Sequence, residues 1–309
     1  MLIETAEQLN DAIGNGRAAE YIEQEESRLL REVERIADRI TEKNHALKWV
    51  WLAGPSSSGK TTFTRMLGSA LHRRGIKTHA ISLDNYFVNR ELTPKNSDGE
   101  YDYEHLEAVD LSLLERHLDE LGRGKTIELP HFKFLHGRRE FRGKLLNLQS
   151  DELALIEGIH GLNPRLTSFV NPLHSFKIYI CARTALKQDR NARISTTDNR
   201  LLRRMIRDFN YRGHTVAKTF TLWPAVRAGE NQWIFPFQPL ADLEFNSALG
   251  YELSVLKPLA ESLIRQLPAS HPGHKKAQEL MQLLSKFQPL EKSMVPKNSI
   301  LQEFIESPD

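Results

Sequence analysis

The sequence predicts an α/β fold: a doubly wound parallel sheet with a β-ribbon insertion and helical N- and C-terminal extensions. Two observations predict it. Apolar runs of strand length, LKWVWLA (47–53), KTHAISL (77–83), LALIEG (153–158) and FKIYICA (176–182), alternate with segments of helical periodicity. Near-continuous apolar strands separated by helices belong to a sheet that is buried on both faces. Between the second and third runs, TIELPHFKF, LHGRRE and FRGKLLNLQ read instead as two strands joined by a basic tip.

The elements follow in chain order. Residues 20–46 set Ile22, Leu29, Leu30, Val33, Ile36, Ala37 and Ile40 at helical spacing among Glu and Arg. This predicts an amphipathic helix packed on the core, with a dimerisation helix as the alternative. The run at 47–53 ends in a glycine-rich loop, and TFTRMLGSALHRRG continues as a helix stopped by Gly75. DLSLLERHLDELGRG reads as a helix closed by Gly122 and Gly124. Helical segments follow the strands at 153–158 and 176–182. From 250 onward helical patterns alternate with a break at PASHPG and end in a short helix near SILQEFI. The expected organisation is an N-terminal extension (1–47), a central domain (48–249) carrying the ribbon (126–150), and a C-terminal extension (250–309).

Composition narrows the function. The chain has 309 residues, with 42 Lys and Arg against 40 Asp and Glu, and a net charge of +2 gives no electrostatic reason for a nucleic-acid or membrane partner. Its apolar runs fall well short of the ~20 residues of a membrane span. The start MLIETAEQLND lacks the basic end and apolar run of a signal peptide, so the expectation is a soluble, cytoplasmic protein. The single cysteine, Cys181, excludes an internal disulfide and sits in a strand-like run, where buried packing is expected.

GPSSSGKT at 54–61 fits G-x-x-x-x-G-K-[ST], with the apolar strand before it and the helix after it that this motif requires. Backbone amides and the helix N-terminus there converge on phosphate oxygens. The fold class is therefore a P-loop NTPase, with Gly54, Ser56, Ser57, Ser58, Gly59, Lys60, Thr61 and Thr62 expected to hold ATP or GTP. Lys60 would neutralise the terminal phosphates and Thr61 ligate Mg²⁺. Such a site also needs an acid at the end of a neighbouring strand, and LALIEG supplies Glu157. The strand HAISL delivers Asp84 at its carboxyl end, where open α/β sheets place ligands, as a candidate base for an acceptor hydroxyl and a second metal-side carboxylate. In TTDNRLLRRMIRDFNYRG (196–213), Arg200, Arg203, Arg204 and Arg207 recur at helical spacing with Arg212 beyond. Asp198 and Asp208 interrupt the charge, which favours a phosphate lid (195–214) over a nucleic-acid track.

GPSSSGKTT, SLDNYF, DYEHLEAVD, ELPHFKF, IEGIHGLNP and RRMIRDFNYRG follow in the order and approximate spacing of the uridine kinase and phosphoribulokinase family of P-loop kinases. The chain resembles that family over about 48–247, and most of all its bacterial uridine kinase-like branch, without room before residue 48 for the extra N-terminal domain of the longer members. The resemblance implies five strands in the order 2-3-1-4-5, ATP and Mg²⁺ as cofactors, and a homo-oligomer. By position it implies Asp84 as catalytic base, Glu157 as the magnesium-side acid, and Arg204, Arg207 and Arg212 as lid arginines, with His214 at the next, usually basic, lid position. For the acceptor it implies Asp84, Tyr86, Glu104, Phe132, Phe134, His136 and Arg204. Glu104 stands where the family has an aspartate on the ribose hydroxyls, Phe132 replaces a tyrosine, and Lys133 replaces an aspartate. The base-reading histidine falls at Gly137, beside His136.

The expected activity is ATP- and Mg²⁺-dependent phosphoryl transfer to a small-molecule alcohol, a nucleoside 5′-hydroxyl first. Two alternatives remain at this point. One is a kinase for a non-nucleoside alcohol, such as a pentose phosphate or pantothenate, its charge met by Lys133, Arg138 and Arg139. The other is a non-catalytic nucleotide-dependent regulatory or RNA-binding module. His105, His131, His136 and His160 match no metal-ligand spacing and are expected to be ordinary polar or packing residues.

Overall fold

The structure, a computed structural model, describes residues 2–306 apart from 44–46, 97–98, 135, 185 and 188–192. The last three positions of the helix expected over 20–46, and residue 135 in the ribbon tip, lie outside the described residues. Two N-terminal helices, α1 (Ala6–Gly14) and α2 (Ala18–Lys43), lead into β1 (Trp49–Ala53), α3 (Lys60–His72) and β2 (Thr78–Ser82). Then come α4 (Leu111–Gly122), the ribbon strands β3 (Ile127–Lys133) and β4 (Arg138–Leu146), β5 (Leu153–Gly158), the single turn α5 (Pro164–Thr167) and β6 (Ser175–Cys181). After α6 (Thr196–Arg212), α7 (Val216–Trp233) and β7 (Leu243–Asn246), the chain closes with α8 (Glu252–Ile264), α9 (His274–Leu284) and the short α10 (Gln302–Ile305).

Among the described residues, five parallel strands form one sheet in the order β2-β5-β1-β6-β7, and β3 and β4 form a separate antiparallel ribbon. With the ribbon set aside, this is the 2-3-1-4-5 order. The central strands β1 and β5 are buried at every position, which is why they read as unbroken apolar runs. Their alternation still sorts the core. Val50, Leu52, Leu153 and Leu155 join α2, α3, α6 and α8 on one face, while Trp49, Trp51, Ala154 and Ile156 join α4 and the ribbon on the other. The edge strand β2 mixes buried, half-buried and exposed positions, as an edge does.

Both terminal extensions pack into the first of these clusters, through Leu9, Leu29, Val33, Ile36 and Ile40 at one end and Leu280, Leu284 and Phe304 at the other. The expected stripe of α2 is buried except for Leu30, which is 39% exposed and lies off the seam. Three local expectations change. The helix α4 runs through Gly122, and the reversal comes at Gly124, whose φ of +70° is left-handed. Helix α1 is unmarked by apolar spacing alone, although Thr5 and Gln8 cap it reciprocally. The fifth strand, LEFN, is only four residues long. No helix among the described residues is long and apolar enough to cross a membrane.

Candidate active site

Parallel register brings the carboxyl ends of three strands together. Ala53 lies beside Gly158, Leu52 beside Glu157, and Glu157 beside Ser82, so the glycine-rich loop, Glu157 and Asp84 leave the sheet side by side. The loop is tightly seated: a Cβ at Gly54 would run into the Ile180 carbonyl oxygen. Gly59 turns into α3 at φ +83°, and Ser57 adopts φ +60°, a left-handed conformation uncommon for a residue with a Cβ. Such backbone turns point successive amides into one concavity. The hydroxyls of Ser57 and Ser58 are buried without a partner among the described residues, and Lys60 spans back to the Pro55 carbonyl at 3.1 Å. Burial lowers the Lys60 ammonium below its ordinary pKa, opposed by Glu157 and Asp84. Thr61 is exposed at the mouth and Thr62 is buried. Buried hydroxyls without a partner, a buried lysine and N-terminal amides of α3 that have no partner within the helix fit a polyphosphate. Among the described residues no three His, Cys, Asp or Glu side chains could hold a metal by themselves. A magnesium ion here would need Thr61, an acid and nucleotide oxygens together.

The acids are clustered. Desolvation, followed by the charge of Asp84, raises Glu157 from 4.5 to about 7. Glu104 is also raised to about 7, first by burial, while Arg204 pulls it down. Its Oε1 lies 3.9 Å from Arg204, and its Oε2 is buried with no partner among the described residues. Asp84 sits in the 3-10 turn Leu83–Tyr86, and its charge acts on Lys60, Glu157, Glu104 and Arg212 alike. His160 is buried and held neutral, its imidazole lowered to about 3 by desolvation.

The arginine stripe divides in two. Arg204 donates to Ser56 Oγ at 2.9 Å and to Asp208 at 3.3 Å. Arg207 reaches Ser56 Oγ at 3.4 Å, and Arg212 donates to Asp208 at 3.0 Å. Arg204 and Arg207 thus meet the loop, and Arg204 and Arg212 share the fully buried Asp208. Arg200 and Arg203 turn inward instead. Arg200 pairs with the buried Glu230 and donates its Nε–H to the Ser56 carbonyl at 2.9 Å, bracing the loop from below. Arg203 pairs with the buried Glu252 and donates to Ser247 Oγ at 3.0 Å. His214 is half-exposed near Asp208, at 3.9 Å.

On the acceptor side, Asn85 Oδ1 accepts from the Phe132 amide at 3.1 Å, tying the ribbon to the turn that carries Asp84. Phe87, Phe132 and Phe134 pack edge to face, with centroids 5.6, 5.2 and 6.2 Å apart. Phe132 is 3% exposed and Phe134 47%, so Phe134 is the accessible ring of the three, with the Arg212 guanidinium over it, 6.0 Å from its centroid. His136 is exposed at the ribbon tip. Tyr86 does not join the site: it is buried in the core beneath the ribbon, its hydroxyl 3.0 Å from His117 Nδ1. At the tip, Lys133 pairs with Glu140 at 2.9 Å and Arg139 with Asp110 at 2.9 Å, while Arg138 is exposed. Two residues that sequence reading passes over are built into the site. A Cβ at Gly229, four residues before the end of α7, would strike the Glu104 Cβ, and a glycine inside a helix is the available signal. Glu303, from α10, accepts from Thr62 and Arg207, and no local signal marks it.

A phosphate cradle at the mouth of a 2-3-1-4-5 sheet, an arginine helix over it and acids at the neighbouring strand ends define a P-loop phosphotransferase. The chain belongs to the phosphoribulokinase / uridine kinase family, whose sequence pattern matches residues 50–251. A uridine kinase from Macrococcus caseolyticus is 31% identical over 196 residues, 63% of this chain and 85% of that protein. A uridine kinase from Bacillus cytotoxicus is 30% identical over 197 residues, again 63% of this chain and 82% of the other. Among solved structures, phosphoribulokinase from Rhodobacter spheroides aligns with a TM-score of 0.44 at 17% identity, covering 84% of this chain and 99% of that one.

Proposed function

We propose that the protein transfers the γ-phosphoryl group of ATP, with Mg²⁺, to the 5′-hydroxyl of a nucleoside, uridine or cytidine first. The observation that carries the acceptor class is Glu104. A largely buried carboxylate with one oxygen unpartnered among the described residues is costly to keep, and a ligand hydroxyl donating to it relieves that cost. On the ribbon, Phe134 is the accessible ring of the aromatic cluster and supplies π surface for a flat, uncharged group. The uridine kinase relatives point the same way.

ATP supplies the phosphoryl group, and Mg²⁺ neutralises the charge on its oxygens. Asp84 takes the proton of the acceptor hydroxyl as the new O–P bond forms and the bond to the departing ADP breaks. Lys60, Arg204, Arg207 and Arg212 offset the negative charge on the phosphoryl oxygens during transfer and keep water from the site. Thr61 and Glu157 are the metal-side groups, with Asp84 next to them. Of the three cations that could meet an anionic acceptor, Lys133 is already paired with Glu140 and Arg139 with Asp110, which weakens that alternative.

The test is ADP release from ATP and Mg²⁺ with a panel of ribonucleosides, deoxyribonucleosides, pentose phosphates and pantothenate. Turnover with uridine or cytidine is expected. Turnover with phosphorylated sugars or pantothenate alone would overturn the acceptor assignment.

A further inference from the structure

The last described segment, 299–306, returns across the phosphate cradle and is firmly held there. Ser299, Ile300, Leu301, Phe304 and Ile305 are all buried. Ile300 lies against Gly59 so closely that a Cβ on that glycine would meet its Cδ1 at 2.8 Å. Phe304 lies under the Arg203 guanidinium, 4.9 Å from centroid to charge, and Asn210 of α6 donates to the Phe304 carbonyl at 3.1 Å. The tail is thus pinned both to the loop and to the arginine helix.

Glu303 uses that position to reach inward. Its Oε2 accepts from the Thr62 hydroxyl at 2.9 Å and from the Thr62 amide at 3.4 Å, and its Oε1 accepts from Arg207 Nη1 at 3.2 Å. The Thr62 amide is one of the N-terminal donors of α3 that have no partner within the helix, the set that a P-loop presents to nucleotide phosphates. Arg207 is one of the arginines that meet the cradle from the lid side. Glu303 therefore spans, with one carboxylate, a donor on the cradle and a donor on the lid. An anionic oxygen pair between those two groups is what a nucleotide phosphate would be, and two anions do not share the same donors.

We propose that Glu303 is a built-in phosphate surrogate: the C-terminal strap sets its carboxylate on Thr62 and Arg207, and nucleotide binding exchanges carboxylate for phosphate. This rests on the nucleotide reading of the P-loop. The buried apolar residues keep the strap in place while the Glu303 side chain, 14% exposed, swings aside. Two consequences follow. The site stays organised without nucleotide, because Arg207 already has an anion to hold. Apparent nucleotide affinity is reduced by the fraction of molecules in which Glu303 occupies the site.

The experiment is calorimetric titration of ADP, and separately of pyrophosphate, into the full chain as wild type, Glu303→Gln and Lys60→Ala. Glu303→Gln keeps the size of the side chain and removes its charge, and its melting curve reports that it folds. The expected result is roughly tenfold tighter binding of both ligands by Glu303→Gln, as release of a dominant competing state requires, and loss of both by Lys60→Ala. Equal or weaker binding by Glu303→Gln overturns the surrogate and makes Glu303 a supporting part of the site. A gain for ADP without one for pyrophosphate also overturns it, because the competition would then not be with phosphate. If wild type binds neither ligand, the nucleotide reading itself falls, and the surrogate with it.

Discussion

Replacing Glu104 with Gln should change how stability depends on pH in a specified direction. Burial, opposed by Arg204, lifts the Glu104 carboxyl from 4.5 to about 7. The folded protein therefore keeps this proton over a range in which the unfolded chain has lost it. The stability tied to that proton is fully present below the unfolded value and is lost as pH rises through about 7. At ~1.4 kcal/mol per pH unit the loss is on the order of 3 kcal/mol. The glutamine side chain of the variant has no proton to lose, so Glu104→Gln should gain on wild type as the solution becomes alkaline. Urea denaturation of both proteins without ligands, at about pH 5 and about pH 8.5, measures the difference. Glu157, also raised to about 7, is present in both and drops out of the comparison to first order. Parallel pH dependences for the two proteins would refute the reasoning, since Glu104 would then be solvated or firmly paired. The same carboxylate should tune acceptor binding, so the wild-type KM for a ribonucleoside is expected to fall as Glu104 ionises, and the variant's to stay flat.

Two further perturbations probe the support of the site. Gly229→Ala drives a methyl group into the Glu104 Cβ, so the acceptor KM should rise about tenfold, as a hydroxyl contact worth ~1.4 kcal/mol would require, with the ATP KM unchanged. Steady-state kinetics with each substrate varied would show it, and an unchanged acceptor KM would contradict the packing argument. Arg200→Met strands the buried Glu230 with only Arg227 beside it among the described residues and removes the brace under Ser56. It should cost about 3 kcal/mol in urea unfolding and weaken ATP, whereas a loss below ~1 kcal/mol would mean that the buried pair is dispensable.

The parts of this molecule that are legible in its sequence are those whose physics is local. The cradle announces itself because strand, glycines, lysine and threonine are contiguous, and β1 and β5 because central strands must be apolar on both faces. Asp84 and Glu157 stand out as strand-end acids for the same reason, and register sets them side by side. The arginine stripe is visible as a stripe but not as two groups. Which arginines turn inward is decided by Glu230 and Glu252, which arrive from other helices. Tyr86 follows Asp84 by two residues, yet the 3-10 turn rolls its ring into the core, onto His117. The fifth strand is too short for periodicity to distinguish and comes only with the family resemblance. Glu303 is invisible, because its meaning lies in a contact with Thr62 that tertiary folding alone creates.

In the proposed reaction Asp84 serves a transfer of phosphate from ATP to a nucleoside hydroxyl. Incubating wild type and Asp84→Asn with γ-labelled ATP, Mg²⁺ and uridine or cytidine, then separating the products, tests it most directly. Labelled nucleoside monophosphate is expected from wild type and a rate lower by about 10²–10⁴ in the variant, as for loss of a general base, with nucleotide binding intact. Labelled monophosphate formed equally fast by Asp84→Asn, or none formed by wild type while ATP still binds, would contradict it.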